Sequence, residues 1–423
     1  MRLIPPFRFP GAPSPDTTPP GPARDTRKRV LWLSCIAHAL HDGYTDMIYA
    51  LLPVWQSDFG LSYGALAVLR GIYAGTMAGL QLPAGRLAQW LGSRATLALG
   101  TFFAALGYAL AGLSGGLVGL CIALALSGSG SSTQHPLASG AVSRSYGKNA
   151  RGPLGIYNFA GDLGKSALPA AISLMVTVMP WRHALWIVSI IGFVVAAVLA
   201  VAFPAISRHT LPETDVARAP GTAPSASKPA SQRAAPQSDR VGFTVLLTIG
   251  ILDTGVRMGL LTFLPFLMKE KGASGALIGT ALALVFIGGA AGKFACGWLG
   301  ARMGVIGTVL ATESGTAAAI LAVLVCPLPL AIVLLPFLGM MLNGTSSVLY
   351  GTVPELTSSD RTERAFAVFY TGTIGAGAIA PVIYGVLGDR IGVHGATIAT
   401  AATALAILPL ALRLRGALAD TAP

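Results

Sequence analysis

The stretch VLWLSCIAHALHDGYTDMIYALLPVWQSDFGLS, residues 30–62, decides the fold. Residues 30–54 are apolar over a length that crosses the ~30 Å hydrocarbon core of a bilayer as one helix. Inside that run stand His38, His41, Asp42 and Asp46. At about 100° per residue they fall, with Thr45 and Tyr49, on one stripe about 140° wide. Ionisable groups at membrane depth are costly and face a cavity, a partner or both, so this helix is expected to line a polar interior. A helix end wetted by solvent, or a network of purely structural hydrogen bonds, is the plainer alternative.

The same stretch ends in a signature that returns. Leu52-Pro53, Gly60 and Ser62 recur as Leu264-Pro265, Gly272 and Ser274, each displaced by 212 positions. Gly85, Gly92 and Pro169 recur at that displacement as Gly297, Gly304 and Pro381, and Ser131-Ser132 recurs as Ser346-Ser347 at 215. One such pair means nothing in a glycine-rich chain. A constant displacement of half the chain length means an internal duplication.

Further apolar runs of membrane-crossing length lie near 64–88, 95–115, 117–140, 152–178, 183–205, 241–267, 275–299, 305–326, 328–350, 364–387 and 393–413. The interval 207–240, rich in Pro, Ala, Ser and Thr, reads as a linker. Residues 1–29, rich in proline, read as a disordered tail, and 416–423 as a second tail. The expected fold is all-α: twelve transmembrane helices in two six-helix halves, 30–206 and 241–415. Parallel repeats of this kind are the plan of certain secondary transporters.

Composition agrees. Of 423 residues 53% are hydrophobic and 11% charged, with a mean hydropathy of +0.67; soluble domains carry about 25% charged residues. An ordinary soluble enzyme is thereby excluded. The formal net charge is +12, which suits a nucleic-acid partner or a membrane protein with sorted charges. Position decides. Of 29 basic residues, Arg182, Lys269, Lys271 and Arg390 fall on one side, and Arg70, Lys165, Arg257 and Lys293 fall within spans. The remainder share the side that holds both termini. That bias implies cytoplasmic termini and leaves no need for nucleic acid. The four cysteines, Cys35, Cys121, Cys296 and Cys326, stand singly without metal or redox spacing, and no cofactor or metal is expected.

Other spans add candidates. Span 5 carries Asn158, Asp162 and Lys165, the last two at i,i+3 and able to pair; a buried ion pair that only fixes packing is the alternative. Span 7 carries Asp253 and Arg257 at i,i+4, displaced by 212 from His41 and Thr45. Span 2 sets Arg70, Tyr73, Met77 and Gln81 on one stripe, although Arg70 could instead snorkel to an interface. Lys293 in span 8 reads the same way, and Glu313 falls near the terminal-side end of span 9. His135-Pro136 closes span 4, placing a titratable ring beside a weakened helix; a core histidine is the plainer reading. Gly164-Lys165-Ser166 lacks the rest of a phosphate-binding loop. Gly112-Leu113-Ser114-Gly115-Gly116 lacks the strand and helix of a nucleophile elbow. A pump driven by ATP and a membrane-embedded hydrolase both lose support.

The spans, linker and duplication resemble the major facilitator superfamily. Its loop motif after span 2, Gly-x-x-x-Asp-x-x-Gly-x-Arg/Lys, reads Gly85, Gln89, Gly92, Arg94 here, and its second-half copy reads Gly297, Ala301, Gly304, so both lack the acid. His38 and Asp42 running into Leu52-Pro53, Gly130-Ser131-Ser132 with His135-Pro136, and Gly161-Asp162-Leu163-Gly164 with Pro169 are similar to the fosmidomycin-resistance branch. This resemblance implies proton-coupled export of a drug or metabolite, an anionic one included, from a bacterial inner membrane. Asp42 or Asp46, with His38 and His41, would carry the proton. Arg70, Lys165 and Arg257 would attract the substrate, Asp162 and Asp253 would hold the last two in the empty site, and Gln81, Asn158 and His135 would add hydrogen bonds. Import of an organic anion such as a carboxylate or phosphonate, or a non-transporting receptor or scaffold, are the alternatives. The expected partners are a small molecule, protons and lipid, around a monomer.

Overall fold

The structure is a computed structural model describing residues 24–204, 240–357 and 362–420. The expected tail up to residue 23 and the linker, Arg240 excepted, lie outside these. The described chain is helical almost throughout and contains no strand.

Span 1 is α1 (Arg24–Phe59), and span 2 is α2 (Tyr63–Gly79) with α3 (Gln81–Leu91), bent by 46°. Span 3 is α4 (Ser93–Ala111). Span 4 runs through α5 (Leu117–Ser131), a π turn (His135–Ser139) and α6 (Gly140–Tyr146). Spans 5 and 6 are α7 (Arg151–Val178) and α8 (Trp181–Ala202), and span 7 is α9 (Arg240–Glu270). Spans 8 and 9 are the two arms of α10 (Gly275–Val325), and span 10 is α11 (Leu328–Leu342) with α12 (Thr345–Thr352). The arms of α13 (Thr362–Asp420) make spans 11 and 12. Gly304 in α10 (φ 69°) and Gly392 in α13 (φ 73°) turn one span into the next. Gly92 (φ 84°) does the same between α3 and α4. Only glycine adopts that left-handed backbone without strain.

By length and apolarity alone, six described helices qualify as spans. The difference from twelve has physical causes. The arms of α13 count as one, and spans 2, 4 and 10 are interrupted. The other two, α1 and α7, are long enough but carry His38, Asp42 and Asp46, or Asp162 and Lys165. The helices too polar to qualify are the ones that build the site.

Two boundaries move. Helix α1 begins at Arg24, so residues 24–29 are helical rather than tail: no proline falls between Pro22 and Pro53, and Asp25 sits favourably in the first turn. Helix α13 runs to Asp420, past the expected end at 415.

With twelve spans between them, Arg24 and Asp420 lie at one end of the bundle, the terminal face; the other end is the far face. Helix α1 lies along α7, and α9 along α13. Contact is closest where side chains are missing. A Cβ on Gly164 would strike the backbone of Ala39, and one on Gly161 would lie 2.6 Å from both Asp42 Oδ2 and His38 Cε1. Small residues at such crossings let helices approach where lipid offers no hydrophobic drive. Gly161 therefore makes the room in which His38 and Asp42 meet.

Candidate functional site: a charged cavity between the halves

A cavity of about 340 Å³ opens between the halves at mid-depth, within the size range of small-molecule sites. Asp42, Thr45, Asp46, Arg70, His135 and Lys165 line it from the first half, and Arg257, Lys293, Ser346, Tyr350 and Tyr370 from the second. A second lobe of about 290 Å³ shares Arg70 and Arg257 and reaches along Asp253, Thr254, Phe369 and Thr373 towards the terminal face.

Asp42 is its centre. It is 5% exposed and receives His38 Nε2 at 3.2 Å, Lys165 Nζ at 3.3 Å and His135 Nε2 at 3.7 Å. His38 Nδ1 donates to the Tyr157 carbonyl at 2.8 Å, and its ring stacks on the Tyr157 ring. That bond fixes the tautomer, because a carbonyl can only accept. His38 Nε2 and the Asp42 carboxylate would then be two facing acceptors, unless one proton lies between them. His135 reaches the same carboxylate because the π turn around Pro136 redirects its ring; such turns recur at functional positions. Asp46, one helical turn further, has no ion-pair partner among the described residues.

The cations differ in how they are held. Arg257 Nη2 donates to Asp253 Oδ2 at 3.2 Å and to Ser346 Oγ at 3.3 Å. Lys293 Nζ donates to both Asp162 oxygens, at 2.6 and 2.8 Å, and so ties the two halves together. Arg70 is 3% exposed, and its guanidinium lies 5.1 Å above the Tyr49 ring and 5.9 Å above that of Tyr73. It pairs with no carboxylate among the described residues, and its Nε and Nη1 meet no acceptor among them. A buried guanidinium on a cavity wall, without a carboxylate to pair it, is a ready anion partner.

Several expectations change. Asp162 and Lys165 do not pair: α1 takes Lys165 through Asp42, and α10 takes Asp162 through Lys293. Arg70 is buried rather than snorkelling. His41 leaves the cluster altogether, with Nε2 3.0 Å from Thr101 Oγ1 and Nδ1 3.1 Å from Ser131 Oγ. Thr101 Oγ1 gives its own proton to Leu97, so it accepts from His41. Neither Asn158 nor Gln81 lines the cavity, and Gln81 instead stands beside Tyr370 of the other half. Glu313 is 2% exposed, accepts from Thr345 Oγ1 at 2.7 Å and stands beside the Asp253 carboxyl. It is a core residue, not one near the end of its span.

Lys293 is the main residue undervalued by the sequence reading. The signal was present, since Lys293 is Gln81 displaced by 212, and Gln81 already stood on the span 2 stripe.

Duplicated six-span halves around a charged cavity at mid-depth define a secondary transporter. The chain belongs to the Major Facilitator Superfamily, whose family model matches residues 34–251 and again 245–421; these are transporters, not enzymes. Among curated proteins it is similar to the "Probable L-galactonate transporter" of Escherichia coli (strain K12), 26% identical over 142 residues, covering 33% of this chain and 31% of that protein. It is also similar to the "Fosmidomycin resistance protein" of the same organism, 26% identical over 172 residues and 41% of each chain. The chain thus matches well under two thirds of the length of either. Among solved structures it resembles an inward-facing, unoccupied bacterial homologue of the human lysosomal transporter Spinster, with TM-score 0.75 and 15% identity, over 95% of this chain and 99% of that one. The occupied form of that homologue superposes equally, with TM-score 0.75.

Proposed function

We propose that the protein couples transport of a small organic anion to protons, with the proton held between His38 and Asp42. The observation that carries this reading is the tautomer of His38: its Nδ1–H is committed to Tyr157, so its contact with Asp42 needs a proton between them. Lys165 leans on the same carboxylate. With Asp42 charged, Lys165 is neutralised. A proton on Asp42 releases that ammonium to join Arg70 in attracting an anion. Proton and anion then bind together, which makes uptake down a proton gradient the first reading. The likeness to a resistance protein supports a second, export in exchange for protons, in which the cargo competes with the proton for Asp42. In both, the basic terminal face is cytoplasmic and the membrane is a bacterial inner membrane.

Flux of sugar acids, other carboxylates and phosphonates into everted membrane vesicles under an imposed proton gradient separates these readings by sign. Asp42→Asn is expected to abolish gradient-driven flux while the amount of protein in the membrane stays unchanged. Wild-type rates in both Asp42→Asn and Asp46→Asn would overturn the assignment.

A further inference from the structure

The far face is sealed by two seams between the halves, and the duplication relates them. In one, α2 packs on the first arm of α13. A Cβ on Gly385 would lie 2.6 Å from Ala67 Cβ and 2.7 Å from the Tyr63 carbonyl. In the other, the first arm of α10 packs on α7, and a Cβ on Gly279 would lie 2.9 Å from the Pro169 carbonyl. Gly279 is Ala67 displaced by 212. The two seams are the same contact built twice.

One of them carries a charge. Asp389 Oδ1 accepts from the Tyr63 backbone N–H at 2.7 Å, and its Oδ2 accepts from Gly64 at 2.9 Å. These two donors open α2, where Ser62 caps Ala65. First-turn N–H groups lack partners within their own helix, and the helix dipole favours an anion there. The approach depends on Gly64, since a Cβ there would lie 2.8 Å from Asp389 Oδ2. In the other seam the place of Asp389 falls to Thr177 (389 − 212), whose Cγ2 would lie 3.2 Å from a Cβ on Gly275. Gly275 begins α10 as Tyr63 begins α2, with Ser274 as its cap. At this end that seam is neutral.

The sequence around Asp389 sharpens the contrast. The spacing Gly-x-x-x-Asp-x-x-Gly, broken at Gln89 and Ala301, is intact as Gly385, Asp389 and Gly392. All three copies end on a left-handed glycine, Gly92, Gly304 or Gly392. The acid is missing from the two copies at the terminal face and present in the one at the far face.

We propose that Asp389 is the latch of the far gate, a positioning residue that holds the far face shut by capping α2 across the two halves. Opening that face must pull Tyr63 and Gly64 from the carboxylate, whereas the far end of the α7–α10 seam has no charge-assisted bond to break, the Lys293–Asp162 bond between those helices lying deeper, at the cavity. The α2 seam therefore sets the ease of opening.

The reporter is Ser173→Cys, a nearly isosteric change at a residue 1% exposed in the neutral seam. Its labelling by a membrane-impermeant maleimide added from the far face, followed by mass spectrometry of the peptide, reads opening without any substrate. Against that background Asp389→Ala is expected to speed labelling by about tenfold or more, since hydrogen bonds to a charged group are the strong ones. Asp389→Asn, which still accepts one N–H, should fall between. Thr177→Asp added to Asp389→Ala should slow labelling again, because it moves the latch to the related helix start. Equal labelling in wild type, Asp389→Ala and Asp389→Asn would overturn the proposal, as would failure of Thr177→Asp to slow it. Should Asp389→Ala not fold, Asp389→Asn and Thr177→Asp alone decide. Proton coupling at Asp42 is a separate matter, read by flux in vesicles rather than by this labelling.

Discussion

The same polar junction is built twice, once neutral and once charged. In the first half His41 of span 1 meets Thr101 of span 3 and Ser131 of span 4. Displaced by 212 and 215, those places hold Asp253, Glu313 and Ser346, with Arg257 where Thr45 stands in the first half. The second set is joined with one link re-routed: Asp253 stands beside Glu313, and Arg257 rather than Asp253 reaches Ser346. Three helices crossing at mid-membrane need a polar contact there, since unmatched groups are costly, but an imidazole and two hydroxyls suffice. Charge is therefore an addition to the scaffold. The neutral junction faces away from the cavity, whereas Asp253, Arg257 and Ser346 line it.

The largest effect expected from breaking this contrast is at Arg257. Arg257→Ala leaves Asp253 and Glu313 buried without their cation, at a cost of about 3–5 kcal/mol. A marked drop in unfolding temperature in detergent checks this, and an unchanged temperature would show that the cation is dispensable to the fold. A sharper test replaces the charged junction with the neutral one by Asp253→His, Arg257→Thr and Glu313→Thr together. The fold is expected to survive, because the first half already packs this way, while anion flux in vesicles is lost. Full flux in that variant would remove the second junction from the substrate path. The smallest effect is expected at His41. His41→Leu forfeits two buried hydrogen bonds, about 1–3 kcal/mol, and leaves the dependence of flux on the proton gradient as it was. A weakened dependence would return His41 to the proton-carrying group.

Periodicity made much of this molecule legible in advance, and its limits are visible in particular residues. The duplication, the spans and the polar stripe of α1 follow from spacing along the chain, because backbone hydrogen bonds must close within each segment in lipid. Pairing does not. On α7, Asp162 and Lys165 stand close enough to bond each other, yet each is claimed by a different neighbour, α10 or α1. A helical wheel gives the direction of a side chain but not the charge that waits there. Glu313 shows the same limit, since distance along a span said nothing of the Asp253 and Thr345 that enclose it. His41 shares the stripe of Asp42, but the close packing of α4 and α5 turns it to other partners. Asp389 keeps the motif's spacing, and only the start of α2 beside it gives that spacing a use.

Most of the charges inside the bundle cancel in pairs: Lys165 with Asp42, Arg257 with Asp253, Lys293 with Asp162. The membrane potential does work only on charge that is left over, at about 2.3 kcal/mol per elementary charge per 100 mV across the full field. Three neutral pairs contribute almost nothing when the bundle rocks. What the voltage can act upon is therefore Arg70, Asp46, Glu313, the proton at Asp42 and whatever the cavity carries, so any current that accompanies turnover is set by the cargo, its protons and these few groups rather than by the paired framework.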